Sequence, residues 1–178
     1  MRPDIQLTVE DYLAFPPNGM QIQLADGEII MAPAPNLRHQ RLVGNLFFLL
    51  ETFIRKTGKG RLFLSPFDIY LSETTVLQPD ISFFDPQTMR HLSKRGAEGA
   101  PTLVIEVLSP TTKDFDRNAK KELFAHFGVR EMWLVDDKKH SIAVHDLESS
   151  EVKRFAKSGI LTSRIFPGIE TGLKEVFA

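Results

Sequence analysis

Leu103-Val104-Ile105-Glu106-Val107-Leu108 decides how this chain folds. Five of its six residues are aliphatic, with no alternation of polar and apolar positions. An unbroken apolar run of this length reads as a strand covered on both faces, in the middle of a sheet. Downstream, residues 113–127 place Phe115, Ala119, Leu123 and Phe127 at helical spacing, and Gly128 is a natural stop. Residues 131–135 then return to a strand-like run. A strand, a helix and a second strand in that order predict an α/β core.

Upstream, Thr8-Val9-Glu10-Asp11 resembles a capping box and predicts a short helix that stops before Pro16 and Pro17. Ala25-Asp26-Gly27 between two short β-like runs predicts a hairpin. From Asn36 to Thr57, Leu42, Val43, Leu46, Leu49, Leu50, Phe53 and Ile54 recur at helix spacing, with Gly58 as the end. Strand pieces are expected on either side of Pro66 and after Pro79, then a polar loop over residues 85–101. Residues 141–145 pair as a strand with 131–135, and the tail adds one or two more strands around Pro167-Gly168. The expected fold is α/β (α+β), a central mixed sheet flanked by helices, as one domain over residues 1–178.

The composition, 42% hydrophobic and 25% charged, belongs to a globular protein rather than a disordered or membrane-spanning one. The longest apolar stretch, Leu46 to Leu50, is too short to cross a bilayer. A net charge of −1 gives no global basic field, so any surface for a polyanion must be local. With no cysteines there are no disulfides, thiolate metal sites or cysteine nucleophile. That absence, and an N-terminus without the apolar core of a signal peptide, set the expectation of a cytoplasmic protein.

Glu106 is an acid inside an apolar strand, and Asp80, in Gln78-Pro79-Asp80-Ile81-Ser82, is a second acid in a strand-like run. A buried carboxylate loses its hydration and requires a cation or hydrogen-bond donors. Two acids on neighbouring strands suit Mg²⁺ or Mn²⁺, which prefer hard oxygen ligands and retain water. Such an ion supports hydrolysis at a phosphate. Each acid also has an ordinary reading: Asp80 as a turn residue after Pro79, Glu106 as the partner of a helix lysine. On ~100° per residue, Lys120 lies about 60° from the middle of its helix's apolar stripe and Lys121 about 160°. Lys120 therefore leans toward the sheet, where its ammonium could reach the carboxylates, with Asp116 as a local competitor.

Other residues carry less. His39, near the start of the long helix, could contact a phosphate or lie near the metal, although packing or capping is the commoner role, and His91, His126, His140 and His145 lack zinc-ligand spacing. Arg90, Lys94 and Arg95, with His91, could form a local phosphate-binding patch in the 85–101 loop, although a solvated loop is the simpler account. Ser109 has no supporting His/Asp arrangement, there is no glycine-rich phosphate loop, and Trp133 reads as core.

With those residues in view, the chain resembles the Uma-type restriction-endonuclease family of the PD-(D/E)XK superfamily. The matching pieces are Asp26-Gly27-Glu28, Arg38-His39-Gln40, Pro79-Asp80, Glu106-Val107-Leu108-Ser109-Pro110, Asp116-Arg117, Lys120, Gly128-Val129 and Trp133-Leu134-Val135-Asp136. The resemblance implies a restriction-endonuclease-like fold and metal-dependent phosphodiester hydrolysis. Asp80 and Glu106 match its metal-binding acids, and the carbonyl of Val107 would be a further ligand. The superfamily's lysine position two residues after the acid is Leu108 here, and Lys120 matches the family's relocated lysine. Where the family commonly has Tyr-Glu before its hairpin, this chain has Ile22-Gln23, so an uncharged amide stands at the expected position of an acid. Phe124 stands where the family often has Tyr. The resulting expectation is a Mg²⁺- or Mn²⁺-dependent nuclease acting on DNA, with Asp80, Glu106, Lys120 and Gln23 at its site. Cutting both strands of a duplex favours a homo-oligomer, a dimer or tetramer. The alternatives are an inactive relative that binds nucleic acid or a protein partner, and a hydrolase of small phosphodiesters.

Overall fold

The computed structural model describes residues 6–16, 21–32, 34–109, 118–156 and 159–178. In chain order the first elements are α1 (Val9–Ala14), β1 (Gln21–Ala25), β2 (Glu28–Ala32), α2 (Leu37–Thr57), β3 (Arg61–Leu64), β4 (Ile69–Ser72), β5 (Thr75–Leu77) and β6 (Ile81–Phe84). A 3₁₀ turn (Thr88–His91) leads to β7 (Leu92–Ser93), β8 (Gly96–Ala97) and β9 (Leu103–Val107). The remainder is α3 (Ala119–His126), β10 (Glu131–Asp136), β11 (Ser141–Asp146), β12 (Val152–Ala156), β13 (Ile160–Leu161), β14 (Thr171–Gly172) and α4 (Leu173–Val176).

The local signals act as expected. Thr8 and Asp11 complete the capping box on α1. Asp26 (φ 49°) and Gly27 (φ 82°) both adopt the left-handed region, the twist a two-residue hairpin turn requires. Asn36 caps α2 by accepting the His39 amide, and Gly58 ends it at φ 65°.

Where one central sheet was expected, the strands form two mixed six-stranded sheets. The central sheet has the order β12-β11-β10-β9-β6-β3, the outer sheet β2-β1-β5-β4-β8-β7, and β13 pairs with β14. The chain passes between the large sheets at several points, two of them at Ser65-Pro66 and at Gln78-Pro79-Asp80. A proline lacks the amide needed to continue a ladder, so both crossings fall where a strand must stop. Asp80 consequently stands one residue ahead of β6 instead of inside it. The 85–101 loop carries β7 and β8, two-residue strands too short to show a period, and the tail ends in α4.

β9 lies between β10, with which it runs parallel, and β6, with which it runs antiparallel. All five of its residues are buried, as the apolar run demands. One face of the central sheet packs against α2 and the C-terminal segment through Leu46, Leu50, Ile105, Trp133 and Leu173. The other meets α3 and the outer sheet through Val104, Met132, Phe124 and Leu77. The side chain of Glu106 belongs to this second face, because neighbours along a strand alternate sides and Ile105 points to the first.

The predicted helix over 113–127 is present as α3 from Ala119, while its first part, with Phe115, Asp116 and Arg117, lies outside the described residues, as do Pro17 and Pro110. Its buried stripe is rotated from the expected one. Lys120 and Phe124 are the buried residues, and Ala119 is exposed. The helix turns its lysine inward because a buried carboxylate on β9 awaits it.

Candidate active site

The register of β6 on β9 sets Ile81 opposite Ile105, and continuing it one step past the end of β6 brings Asp80 level with Glu106. Asp80 Oδ2 accepts the Val107 amide at 2.7 Å, so one acid is fastened to the backbone of the residue after the other. His39 Nε2, from the first turn of α2, lies 3.1 Å from the same oxygen. Among the described residues Oδ1 of Asp80 takes no hydrogen bond, which leaves an oxygen for a ligand. Glu106 is 3% exposed and Lys120 2%, and Lys120 Nζ donates to Glu106 Oε1 at 2.6 Å. The ammonium reaches the carboxylate, as its place on the helix suggested, and is buried with it.

Gln23, on β1, is also buried, and its Oε1 accepts the Gln78 amide at 2.9 Å. Its side chain holds the crossing that delivers Asp80. Gln78 itself donates through Nε2 to Asp68 Oδ1 at 2.6 Å. Tyr12 and Tyr70 give Asp68 two further hydrogen bonds, at 2.9 and 3.0 Å. Burial, followed by the Asp68 charge, pushes the Tyr12 phenol well above its ordinary range and that of Tyr70 up to about 12. Both hydroxyls therefore remain donors at neutral pH, and that of Tyr12 anchors α1 beside the crossing.

A cleft of about 570 Å³ opens at Asp80 and His39. Its walls are largely apolar, with Leu13 and Phe15 on one side and Val43 and Pro66 among the others.

His39, for which packing or capping was favoured over a place near the metal, is thus drawn to Asp80. A second buried acid, Glu131, is fully engaged. It accepts from Trp133 Nε1 at 2.7 Å, from the Ser163 hydroxyl and from the Arg164 amide at 3.2 Å. Arg95, one of the three cations considered for a phosphate-binding patch in the loop, is held over the Tyr70 ring at 4.2 Å and pairs with Glu98 at 3.2 Å.

Among the described residues no three His, Cys, Asp or Glu side chains gather into a metal cage. The donors present still fit a hard divalent ion. Mg²⁺ typically takes one or two carboxylates and keeps several waters, and Asp80, Glu106 and the Val107 carbonyl supply oxygen only.

The family model Uma2, described as "Putative restriction endonuclease", matches residues 9–174. The chain belongs to this family. One solved structure similar to this Uma2 chain is described as a "putative nuclease belonging to DUF820 from Anabaena variabilis ATCC 29413". The likeness covers 96% of this chain and 97% of that one, with a TM-score of 0.82 at 19% identity, and establishes a shared fold. No curated protein matches the chain.

Proposed function

We propose that this Uma2 chain is a divalent-metal-dependent nuclease that hydrolyses phosphodiester bonds in DNA. The observation that carries the reading is the coupling of the two acids: Asp80 sits on the amide of Val107 while its neighbour Glu106 binds the Lys120 ammonium. Asp80, Glu106 and the Val107 carbonyl would hold Mg²⁺ or Mn²⁺. Bound there, the ion supplies Lewis-acid polarisation of the phosphate and a lowered pKa for the attacking water.

The chain's own groups do the rest. Lys120 presents a desolvated positive charge where charge develops on the phosphate oxygens, and an ammonium in a water-poor site acts more strongly than in bulk. His39 and the Val107 amide fix the orientation of Asp80. Gln23 positions the crossing through Gln78. The apolar cleft at Asp80 gives the sugar and base flanking the phosphate a place outside water.

One observation favours a second reading, a nuclease fold that binds without cutting. Gln23 brings no charge, and the Glu106 charge is already matched by Lys120 at 2.6 Å. Cleavage of plasmid, single-stranded DNA, RNA and a small phosphodiester in Mg²⁺ or Mn²⁺ separates the possibilities. Divalent-dependent DNA cleavage that falls at least about 100-fold in both Asp80→Asn and Glu106→Gln is expected, with folded far-UV spectra. Cleavage unchanged by either substitution rejects the site, and turnover confined to the small ester rejects the substrate.

A further inference from the structure

A groove of about 440 Å³ lies beside α3 on the face of the central sheet that carries Glu106. The registers run Glu106 to Leu134 to Ala143 to Arg154 across β9, β10, β11 and β12. Residues aligned in this way share a face. Leu134 and Ala143 floor the groove, with Lys121 on α3, Lys139 on the β10–β11 turn and Arg154 on β12 around it. Three strand spacings of ~4.8 Å put Arg154 about 14 Å from Glu106.

The charge of this groove is unusual for the molecule. Lys121, Lys139 and Arg154 make no ion pair among the described residues, although the chain as a whole has a net charge of −1. Lys139 and Arg154 are exposed. The acid in the lining, Asp136, accepts the Lys139 amide at 3.2 Å, leaving an excess of positive side chains. His145 also lines the groove, and burial, then the charges of Lys121 and Arg154, hold its pKa down at about 4. A half-buried ring facing two cations marks a site where, among the described residues, positive side chains outnumber the single lining acid, Asp136. The three cations come from three separate elements, an arrangement suited to an extended polyanion.

We infer that this groove is a track for the sugar-phosphate backbone of a nucleic acid strand leaving the catalytic acids, with Lys121, Lys139 and Arg154 on successive phosphates. The inference rests on the nuclease reading for the identity of the polyanion. At ~3.4 Å of rise per phosphate along a duplex strand, the span from Glu106 to Arg154 covers about four nucleotides.

The test is binding without cleavage. Fluorescein-labelled single- and double-stranded 20-mer DNA is titrated with the full chain in EDTA at several NaCl concentrations, and anisotropy gives the affinity and its salt slope. Each phosphate contact contributes about 0.7 to 0.9 to that slope. The double variant Lys121→Ala/Arg154→Ala is expected to bind at least about 10-fold more weakly and to lose roughly 1.5 from the slope. Lys139→Ala is expected to lose about half as much. Unchanged affinity and slope in the double variant, or wild-type protein that binds no DNA, overturns the inference. Failure of the nuclease reading looks different. Wild-type protein would then bind with the predicted slope, and the variants would weaken it, while Mg²⁺ or Mn²⁺ produced no cleavage.

Discussion

Replacing Lys120 with Met removes a charge the protein cannot replace with water. At 2.6 Å the Lys120–Glu106 attraction is large, about 6 kcal/mol at an effective dielectric of ~20. Desolvating two ions to 2–3% exposure costs several kcal/mol for each, so the intact pair adds little net stability. Lys120→Met leaves the desolvation of Glu106 uncompensated, and loss of one partner from a buried pair costs about 3–5 kcal/mol. For a domain of this size, at ~2–4 °C per kcal/mol, Tm falls by about 6–20 °C. Urea and thermal melts followed by far-UV circular dichroism measure the loss. Lys120→Met/Glu106→Leu, which removes both charges, should return to within about 1 kcal/mol of the wild type. Mg²⁺ at 10 mM should restore part of the loss in the single variant, since an ion at Glu106 replaces the missing charge. A single-variant loss below about 1 kcal/mol, or a double variant as unstable as the single, would refute the view of Glu106 and Lys120 as a dry, mutually dependent pair.

The pH dependence has a definite sign. Because the folded-state pKa of His145 lies near 4, below its ordinary 6.5, the unfolded chain takes up the proton first and stability falls as pH drops from 6.5 toward 4. The ring is half-exposed, so solvent screening reduces its share to about 1 kcal/mol; urea melts at pH 7 and pH 5 should show that difference in wild type and not in His145→Gln. Gln23→Leu strands the buried amide of Gln78 and should cost about 1–3 kcal/mol, and it should weaken Mn²⁺ binding by loosening the approach to Asp80. A calorimetric Mn²⁺ affinity unaffected in a folded Gln23→Leu protein would remove Gln23 from the site.

The elements with strong local chemistry were legible in the sequence. The Thr8 capping box, the Asp26-Gly27 turn, α2 between Asn36 and Gly58 and the apolar run of β9 each depend on neighbours along the chain. The division into two sheets was not, because nothing local says that Pro66 and Pro79 are crossings between layers. The lean of Lys120 toward the sheet was legible from helical spacing, but the stripe through Ala119 was not the buried one, because the tertiary partner of α3 is a carboxylate and Lys120 with Phe124 faces it. A place for His39 near the metal was one of its two readings, and the sequence could not choose it over packing or capping because the contact with Asp80 exists only once α2 is laid beside the start of β6. The groove around His145 joins residues from α3, a turn and three strands, a combination visible only across the sheet.

The central claim is that Asp80 and Glu106 share one hard cation. A crystal soaked in Mn²⁺ and measured at a wavelength with anomalous signal tests it directly. The account predicts one anomalous peak within bonding distance of both carboxylates and of the Val107 carbonyl, lost in Asp80→Asn. A Mn²⁺ peak bound elsewhere, or no peak beside Asp80 at millimolar ion, would contradict it.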